Sequence, residues 1–249
     1  MMTRSTTPSC APVLGILGWE EGNDDTLKQI ESLSGNVAHP DTFGFSVRYL
    51  RVDGAFFETV VVRPSLAVRD AMVAAALELE SEGVRAIATG CGFNALFQRE
   101  LADSVAVPVF ASSLLQVPMV HRMLKKNQLV GIVTADSSLL SQAHLESVGI
   151  TQESPHAIAG IQETGEFSRI RSDPRANLDG ARMEEEVVDV VQTLIGAHPE
   201  TGAIVLECTD LPPFSAAIRR ATGLPVFDFV TMACWVVDAV MGDRWTTST

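Results

Sequence analysis

The sequence lacks the features of several common classes of protein. Its 249 residues contain 18 basic and 31 acidic side chains, a formal charge of -13, whereas nucleic acids and anionic membranes bind positively charged surfaces. No run approaches the roughly 18 apolar residues that a membrane-spanning helix needs, and residues 1–12 lack the apolar stretch of a signal peptide. We therefore expect no nucleic-acid or membrane partner, a cytoplasmic location, and a disordered arm over residues 1–12.

Signatures of metals and cofactors are also missing. The four cysteines form no CxxC pair and the five histidines are scattered, so neither a zinc site nor a disulfide framework is indicated. Pyridoxal phosphate needs a lysine for its Schiff base, but Lys28, Lys125 and Lys126 all lie on polar stretches. The sequence therefore predicts a protein without metal or cofactor.

One short motif, in contrast, is typical of proteins that bind a cofactor. Residues 90–95 match GxGxxA after a predicted strand, a pattern found in dinucleotide-binding proteins. A dinucleotide-binding site would also need an acidic residue at the end of the next strand, to bind the ribose. The next strand ends in Ala111-Ser112-Ser113, so the dinucleotide hypothesis is disfavoured.

What the sequence contains is an alternation of short β-branched runs and alanine-rich helical stretches, the pattern of a parallel sheet covered by helices. This pattern predicts the α/β fold class. Predicted strands cover 13–17, 59–62, 85–89, 107–110, 129–133, 157–161 and 203–206, and predicted helices cover 65–82, 94–103, 136–147, 183–195 and 230–240.

The two halves of the chain also resemble each other. Segment 86–110 aligns without gaps on segment 203–227, with Cys91 on Cys208 and Phe97 on Phe214 among the identities. We therefore predict two pseudo-symmetric lobes, each a mainly parallel sheet flanked by helices, with a cleft between them. The predicted boundaries are 13–112 plus 226–249 for the first lobe and 113–225 for the second.

Cys91 and Cys208 both follow a predicted strand, where ligands bind in parallel α/β sheets and where helix N-termini direct N–H groups outward. A helix dipole there should lower the pKa of at least one thiol below the ordinary value of about 8.5. Two thiols facing each other across a cleft could remove a proton from one face of a carbon and return one to the other. The alternative is that each is a small buried hydrophobe, which we expect only for Cys234.

These motifs resemble a known family. Thr-Gly-Cys-Gly-Phe-Asn at 89–94, Gly-Ile-Val-Thr at 131–134 and Glu-Cys-Thr-Asp-Leu-Pro-Pro at 207–213 are similar to the aspartate/glutamate racemase superfamily. That group includes glutamate, aspartate and hydantoin racemases, arylmalonate decarboxylase, maleate isomerase and an algal dimethylsulfoniopropionate lyase. The resemblance implies a two-lobed fold without cofactor and Cys91 and Cys208 as the acid/base pair.

The resemblance also implies a substrate site for a small carboxylate. Its residues would be Gly92, Phe93, Asn94, Thr134 and Thr209. The favoured hypothesis is a racemase or epimerase that moves a proton at the α-carbon of an amino acid or a derivative. A lyase or decarboxylase on the same scaffold and a non-catalytic carboxylate-binding protein are the alternatives, and a homo-oligomer is compatible with all of them.

Two departures from the family pattern bear on the substrate. Gly18-Trp19-Glu20 stands where the amino-acid racemases usually have Asp-Ser-Gly, and Gly92 and Phe93 separate Cys91 from Asn94. Both argue against free glutamate or aspartate as the substrate. Because loops near strand ends carry specificity, we expect Trp19, Glu20 and the polar segment 152–180 to determine selectivity. Trp19 should lie near the cysteines, and the segment should border the cleft.

Overall fold

A computed structural model describes residues 12–20, 25–173 and 175–241. The predicted disordered arm falls almost wholly outside these residues, and so does Cys10. Among the described residues, no helix is long and apolar enough to cross a membrane.

The described strands form two parallel sheets of four strands each. The order is β2-β1-β3-β4 in the first sheet and β6-β5-β7-β8 in the second, so the same topology occurs twice. This confirms the α/β fold class and the internal repeat. The strands are β1 Leu14–Gly18, β2 Val47–Arg51, β3 Ala86–Thr89, β4 Val109–Phe110, β5 Leu129–Thr134, β6 His156–Gly160, β7 Thr201–Leu206 and β8 Val226–Phe227.

Helices cover the sheets, and a short 3-10 helix follows each cysteine turn, over Gly92–Phe97 and Pro212–Phe214. A third 3-10 helix, Ser113–Leu115, begins the connection between the sheets. The α-helices in the described chain are α1 Asp25–Glu31, α2 Leu66–Ser81, α3 Gln98–Ser104, α4 Gln116–Met123, α5 Gln142–Ser147, α6 Gly165–Ser172, α7 Gly180–Ala197, α8 Ser215–Thr222 and α9 Phe229–Met241.

The central strands β1, β3, β5 and β7 are buried along their whole length. Helices on both faces of a parallel sheet require such continuous apolar runs, and this is why these strands could be recognised in the sequence. Ile87 of the first sheet and Val205 of the second belong to one hydrophobic cluster. The two sheets therefore share a continuous core.

The chain crosses between the sheets twice. Helix α4 follows β4 but packs on β5 and β7, whereas α9 follows β8 and returns to the first sheet, where Phe229 and Ala233 cluster with Ala88 and Phe110. Val226 and Phe227, however, pair with β7 in the second sheet, although the predicted boundary put them in the first lobe; the division into lobes otherwise stays a prediction.

Two predicted elements differ from the structure. Residues 59–62 lie in a π-helical turn, Glu58–Val62, and the strands absent from the prediction are β2 and the two-residue β8. A short β-branched run does not distinguish a strand from a buried helical turn, and β2 was missed because it is only half-buried and carries two arginines.

The helix predicted over 136–147 begins only at Gln142. The Asp136 carboxylate accepts hydrogen bonds from the backbone N–H and the hydroxyl of Ser138 and closes a turn. Ser141 then caps α5, with the His144 side chain completing a capping box. Local side-chain bonding of this kind competes with helix formation.

Candidate active site

Cys91 and Cys208 line the same cavity, which has a volume of about 260 Å³. Cys91 follows β3 in the first sheet, and Cys208 follows β7 in the second. Both strands occupy interior positions in their sheets, so their carboxyl ends bring the two cysteine turns to one cleft. A cavity of this size is suited to a small molecule rather than to a nucleotide-sized one.

The two cysteine turns are in direct contact. The Thr209 hydroxyl donates a hydrogen bond to the Gly90 carbonyl oxygen at 2.7 Å. Gly92 packs so closely on Glu207 that a Cβ at position 92 would overlap both its carboxylate and its carbonyl oxygen. This contact explains why glycine follows Cys91, and it fixes the separation of the two turns.

Burial and nearby carboxylates raise the pKa of both thiols, so the predicted lowering is wrong. For Cys91, burial has the largest effect, followed by the charge of Glu207. Hydrogen bonds from the backbone N–H groups of Phe93 and Asn94 lower the pKa of Cys91, but by less than the other effects raise it. The helix that begins here is only a short 3-10 helix, and a short helix has a weak dipole.

Cys208 lies next to a second carboxylate. Its Sγ is 4.0 Å from Oδ2 of Asp210, and Oδ1 of Asp210 accepts a hydrogen bond from the Asn36 amide at 2.8 Å. Burial raises the pKa of the Cys208 thiol well above its usual value, and the Asp210 charge adds to this effect. Burial also raises the pKa of Asp210 to about 6.

Glu207 and Asp210 are site residues that the sequence analysis missed. Glu207 is completely buried, and burial raises its pKa to about 7. Its Oε2 accepts a hydrogen bond from the Thr134 hydroxyl at 2.7 Å. The available signal in the sequence is an acidic residue on either side of the Cys208–Thr209 pair.

Aromatic side chains form another wall of the cavity, with Trp19, Tyr49, Phe57 and Phe167 among its lining residues. Burial raises the pKa of the Tyr49 phenol above its usual range, so the phenol stays neutral. The buried indole N–H of Trp19 has no hydrogen-bond partner among the described residues. The prediction that Trp19 lies near the cysteines is confirmed.

The polar segment 152–180 also borders the cavity, as predicted, through Phe167, Ile170 and Arg171 of α6. The Arg171 guanidinium lies 4.6 Å from the centre of the Phe57 ring, which belongs to the first half of the chain. Glu20 does not line the cavity. Its carboxylate instead accepts a hydrogen bond from the backbone N–H of Gly54 at 2.8 Å.

The five predicted substrate-binding residues divide into two groups. Gly92, Phe93 and Thr209 line the cavity. Thr134 is behind it and donates to Glu207, and Asn94 is fully buried with no hydrogen-bond partner for either polar atom of its side chain within the described residues. The structure therefore brings three of the five to the cavity.

The described residues contain no group of three or more histidine, cysteine or acidic side chains that could hold a metal ion. Acidic residues and thiols do line the cavity together, but their arrangement is not that of a metal centre. Proton transfer is the chemistry for which these groups are suited.

Comparisons with known proteins agree with this architecture. Residues 14–237 match the family model Asp/Glu/Hydantoin racemase. Dimethylsulfoniopropionate lyase from Durusdinium sp. clade D is 32% identical over 207 residues, which are 81% of this chain and 68% of that protein. Dimethylsulfoniopropionate lyase 5 from Emiliania huxleyi is 35% identical over 218 residues, 82% of this chain but only 43% of that protein.

Solved structures with the same fold are more distant in sequence. Allantoin racemase from Pseudomonas fluorescens superposes with a TM-score of 0.60 at 18% identity, covering 94% of this chain and 93% of that one. Unliganded arylmalonate decarboxylase superposes with a TM-score of 0.56 at 16% identity, covering 93% of each chain. The matched family model, the sequence relatives and the doubled sheet topology lead to one conclusion: the chain belongs to the Asp/Glu/Hydantoin racemase family of enzymes.

Proposed function

We propose that this protein is a lyase that eliminates dimethyl sulfide from dimethylsulfoniopropionate or a closely similar sulfonium carboxylate. Two relatives that match about four fifths of the chain carry the name dimethylsulfoniopropionate lyase. The chain spans only 43% of one of them, so the activity of the whole relative is carried over here as a hypothesis. The observation that supports it best is the cavity itself, in which thiols and carboxylates face aromatic rings.

The reaction requires one strong base and no cofactor. The base takes a proton from the carbon next to the carboxylate, and the electron pair of that C–H bond forms the C=C double bond. The C–S bond breaks with its electron pair going to sulfur, so that dimethyl sulfide and acrylate are released and the proton remains on the protein.

The charge of the cavity suits a sulfonium substrate. Glu31, Glu207 and Asp210 line it, whereas Arg171 is the single basic side chain among the described lining residues. Aromatic rings attract cations through their faces, and Trp19 and Tyr49 lie on the same wall. The cavity therefore accommodates a substrate with a permanent positive charge better than a substrate that carries only negative charge.

A bound cation would also activate the thiols. Both have raised pKa values in the unliganded protein and cannot act as bases in that state. An opposite charge within a few ångströms lowers the pKa of an acid by about 1 to 3 units. A sulfonium substrate therefore makes its own base more ionised when it binds.

Cys208 is the better placed of the two thiols to act as this base. Asp210, with its carboxylate oxygen 4.0 Å from Sγ, can accept the thiol proton, and Asn36 holds that carboxylate in place. Arg171 at the edge of the cavity is our candidate partner for the substrate carboxylate. The N–H groups of Phe93 and Asn94 are further donors at the Cys91 turn.

A racemase or epimerase acting on an amino acid or a derivative is the second candidate. The observation in its favour is that one thiol comes from each sheet and both line one cavity, as inversion by two opposed acid/base groups requires. The two candidates differ in how many thiols they need. Elimination needs one base, whereas inversion needs both thiols.

Proton NMR in deuterated water tests the proposal. We expect the purified protein to convert dimethylsulfoniopropionate into acrylate and dimethyl sulfide. With a panel of chiral amino acids and their derivatives, we expect no deuterium at the α-carbon. Unchanged dimethylsulfoniopropionate together with deuterated amino acid would favour the racemase, and no change in any compound would favour a carboxylate-binding protein.

A further inference from the structure

The Glu207 side chain is buried between the two cysteine turns. It comes from the end of β7 in the second sheet but packs against Gly92, directly after Cys91 in the first half of the chain. Its Oε2 is held by Thr134, whereas Oε1 has no hydrogen-bond partner among the described residues. A buried carboxylate oxygen without a partner is costly, and this oxygen lies against the residue that follows Cys91.

Glu207 and Asp210 act unequally on the two thiols. Of the two carboxylates, Glu207 raises the pKa of Cys91 more, and Asp210 raises the pKa of Cys208 more. Asp210 also lies within 4.0 Å of the Cys208 sulfur. Burial has the largest effect on the pKa of both thiols, and both carboxylates add to it. The carboxylate with the larger effect on Cys91 is Glu207, which comes from the opposite half of the chain.

We propose that Glu207 is a positioning residue whose negative charge keeps the Cys91 thiol protonated, so that Cys91 faces the substrate as a neutral S–H group. Cys208, whose Sγ lies 4.0 Å from a carboxylate oxygen of Asp210 that can accept its proton, is then the base of the proposed elimination. The division of roles between the thiols rests on the proposed function, whereas the effect of Glu207 on Cys91 does not.

The direction of the effect follows from the groups around Glu207. The titratable groups that interact with it are Asp210, Cys91 and Cys208, and its hydrogen-bond donor is the uncharged Thr134. Glu207 loses its proton as the pH rises through about 7. Above that pH its charge opposes a second negative charge on Cys91, because like charges at short range disfavour ionisation.

The test is the rate at which iodoacetamide alkylates Cys91 between pH 6 and 10, measured on the full chain by peptide mass spectrometry. In Glu207→Gln we expect the pKa of Cys91 to fall by about one unit, so that labelling is about tenfold faster at a given pH on the rising part of the profile. Glu166→Gln is the matched control. Glu166 is also buried, but it is paired with Arg169 and is not among the cavity-lining residues.

Glu207→Asp retains the charge and should keep Cys91 slow to react, which separates loss of charge from loss of the contact with Gly92. A folded Glu207→Gln protein in which Cys91 is labelled at an unchanged or lower rate would overturn the proposal. So would an equal acceleration in Glu166→Gln, because the effect would then not be specific to Glu207.

The variant Thr134→Val provides a second test of the effect of Glu207 on Cys91 if Glu207→Gln does not fold. The Thr134 hydroxyl lowers the pKa of Glu207, so its removal should keep Glu207 protonated to a higher pH. Cys91 should then be labelled faster between about pH 7 and 8, and an unchanged rate would refute the proposal. Because labelling needs no turnover, a failure to release dimethyl sulfide would reject the lyase without affecting this result.

Discussion

At the scale of single residues, the sequence was sufficient to place the two cysteines after two equivalent strands, but not to identify the carboxylates that lie beside them in the cavity. Cys91 and Cys208 were identified by their equivalent places after two strands of a repeat. The predicted lowering of their pKa values considered helix termini alone. It omitted burial and the two carboxylates beside Cys208 in the sequence, and these effects depend on distances that only the folded chain defines.

Asp210 is the residue whose replacement should most affect proton removal from Cys208. In Asp210→Asn the hydrogen bond with Asn36 can be retained, but the group that accepts the thiol proton is lost. We expect kcat for elimination to fall about a hundredfold, in the range typical of a lost general base, with little change in KM. Steady-state kinetics on dimethylsulfoniopropionate measure both constants.

Asp136→Asn is the control for this substitution, since Asp136 caps a turn outside the cavity and its loss should leave kcat unchanged. A wild-type kcat in Asp210→Asn would remove Asp210 from the mechanism. A change confined to KM would assign it to substrate binding instead.

At the scale of secondary structure, buried elements were predictable and exposed ones were not. The central strands β3, β5 and β7 and helices α2, α7 and α9 were all identified from apolar runs or helical periodicity. The half-buried β2, the two-residue β8 and the short helices α1, α4, α6 and α8 were not. Each is too short, or too mixed in polarity, for its local pattern to identify it.

Helix α6 illustrates why such elements matter for function. It carries Phe167 and Arg171 to the cavity. The chain that follows it is tied to α1, because the Gln29 amide donates to the Ala176 carbonyl at 3.1 Å and accepts from the Leu178 N–H at 2.8 Å. This polar segment thus closes one side of the cavity against the first half of the chain.

Arg171→Ala should weaken binding of a carboxylate substrate. Loss of the single basic side chain among the described lining residues is expected to raise KM for dimethylsulfoniopropionate about tenfold, as for the loss of one charge-assisted hydrogen bond. We expect kcat to change much less. Initial-rate measurements over a range of substrate concentrations separate the two effects.

Arg175→Ala serves as the comparison, because Arg175 is exposed on the same segment and does not line the cavity. Equal KM values for the wild type and Arg171→Ala would show that the substrate carboxylate is bound elsewhere. The N–H groups at the Cys91 turn would then be the remaining candidates.

At the scale of the whole molecule, the repeat explains both the fold and the position of the cavity. Two sheets of identical strand order place β3 and β7 at equivalent positions. The Thr209–Gly90 hydrogen bond and the Gly92–Glu207 contact hold their cysteine turns together. The same scaffold could support inversion with two thiols or elimination with one, and the family alone does not distinguish these reactions.

The most direct measurement of the proposed function is the release of dimethyl sulfide from dimethylsulfoniopropionate, followed by headspace gas chromatography for the wild type and three cysteine variants. We expect equal rates for the wild type and Cys234→Ser, because Cys234 is not among the cavity-lining residues. Cys208→Ser should lose at least about a hundredfold in rate, and Cys91→Ser should retain measurable elimination. Absence of dimethyl sulfide with the wild type, or an undiminished rate in Cys208→Ser, would contradict elimination by this thiol.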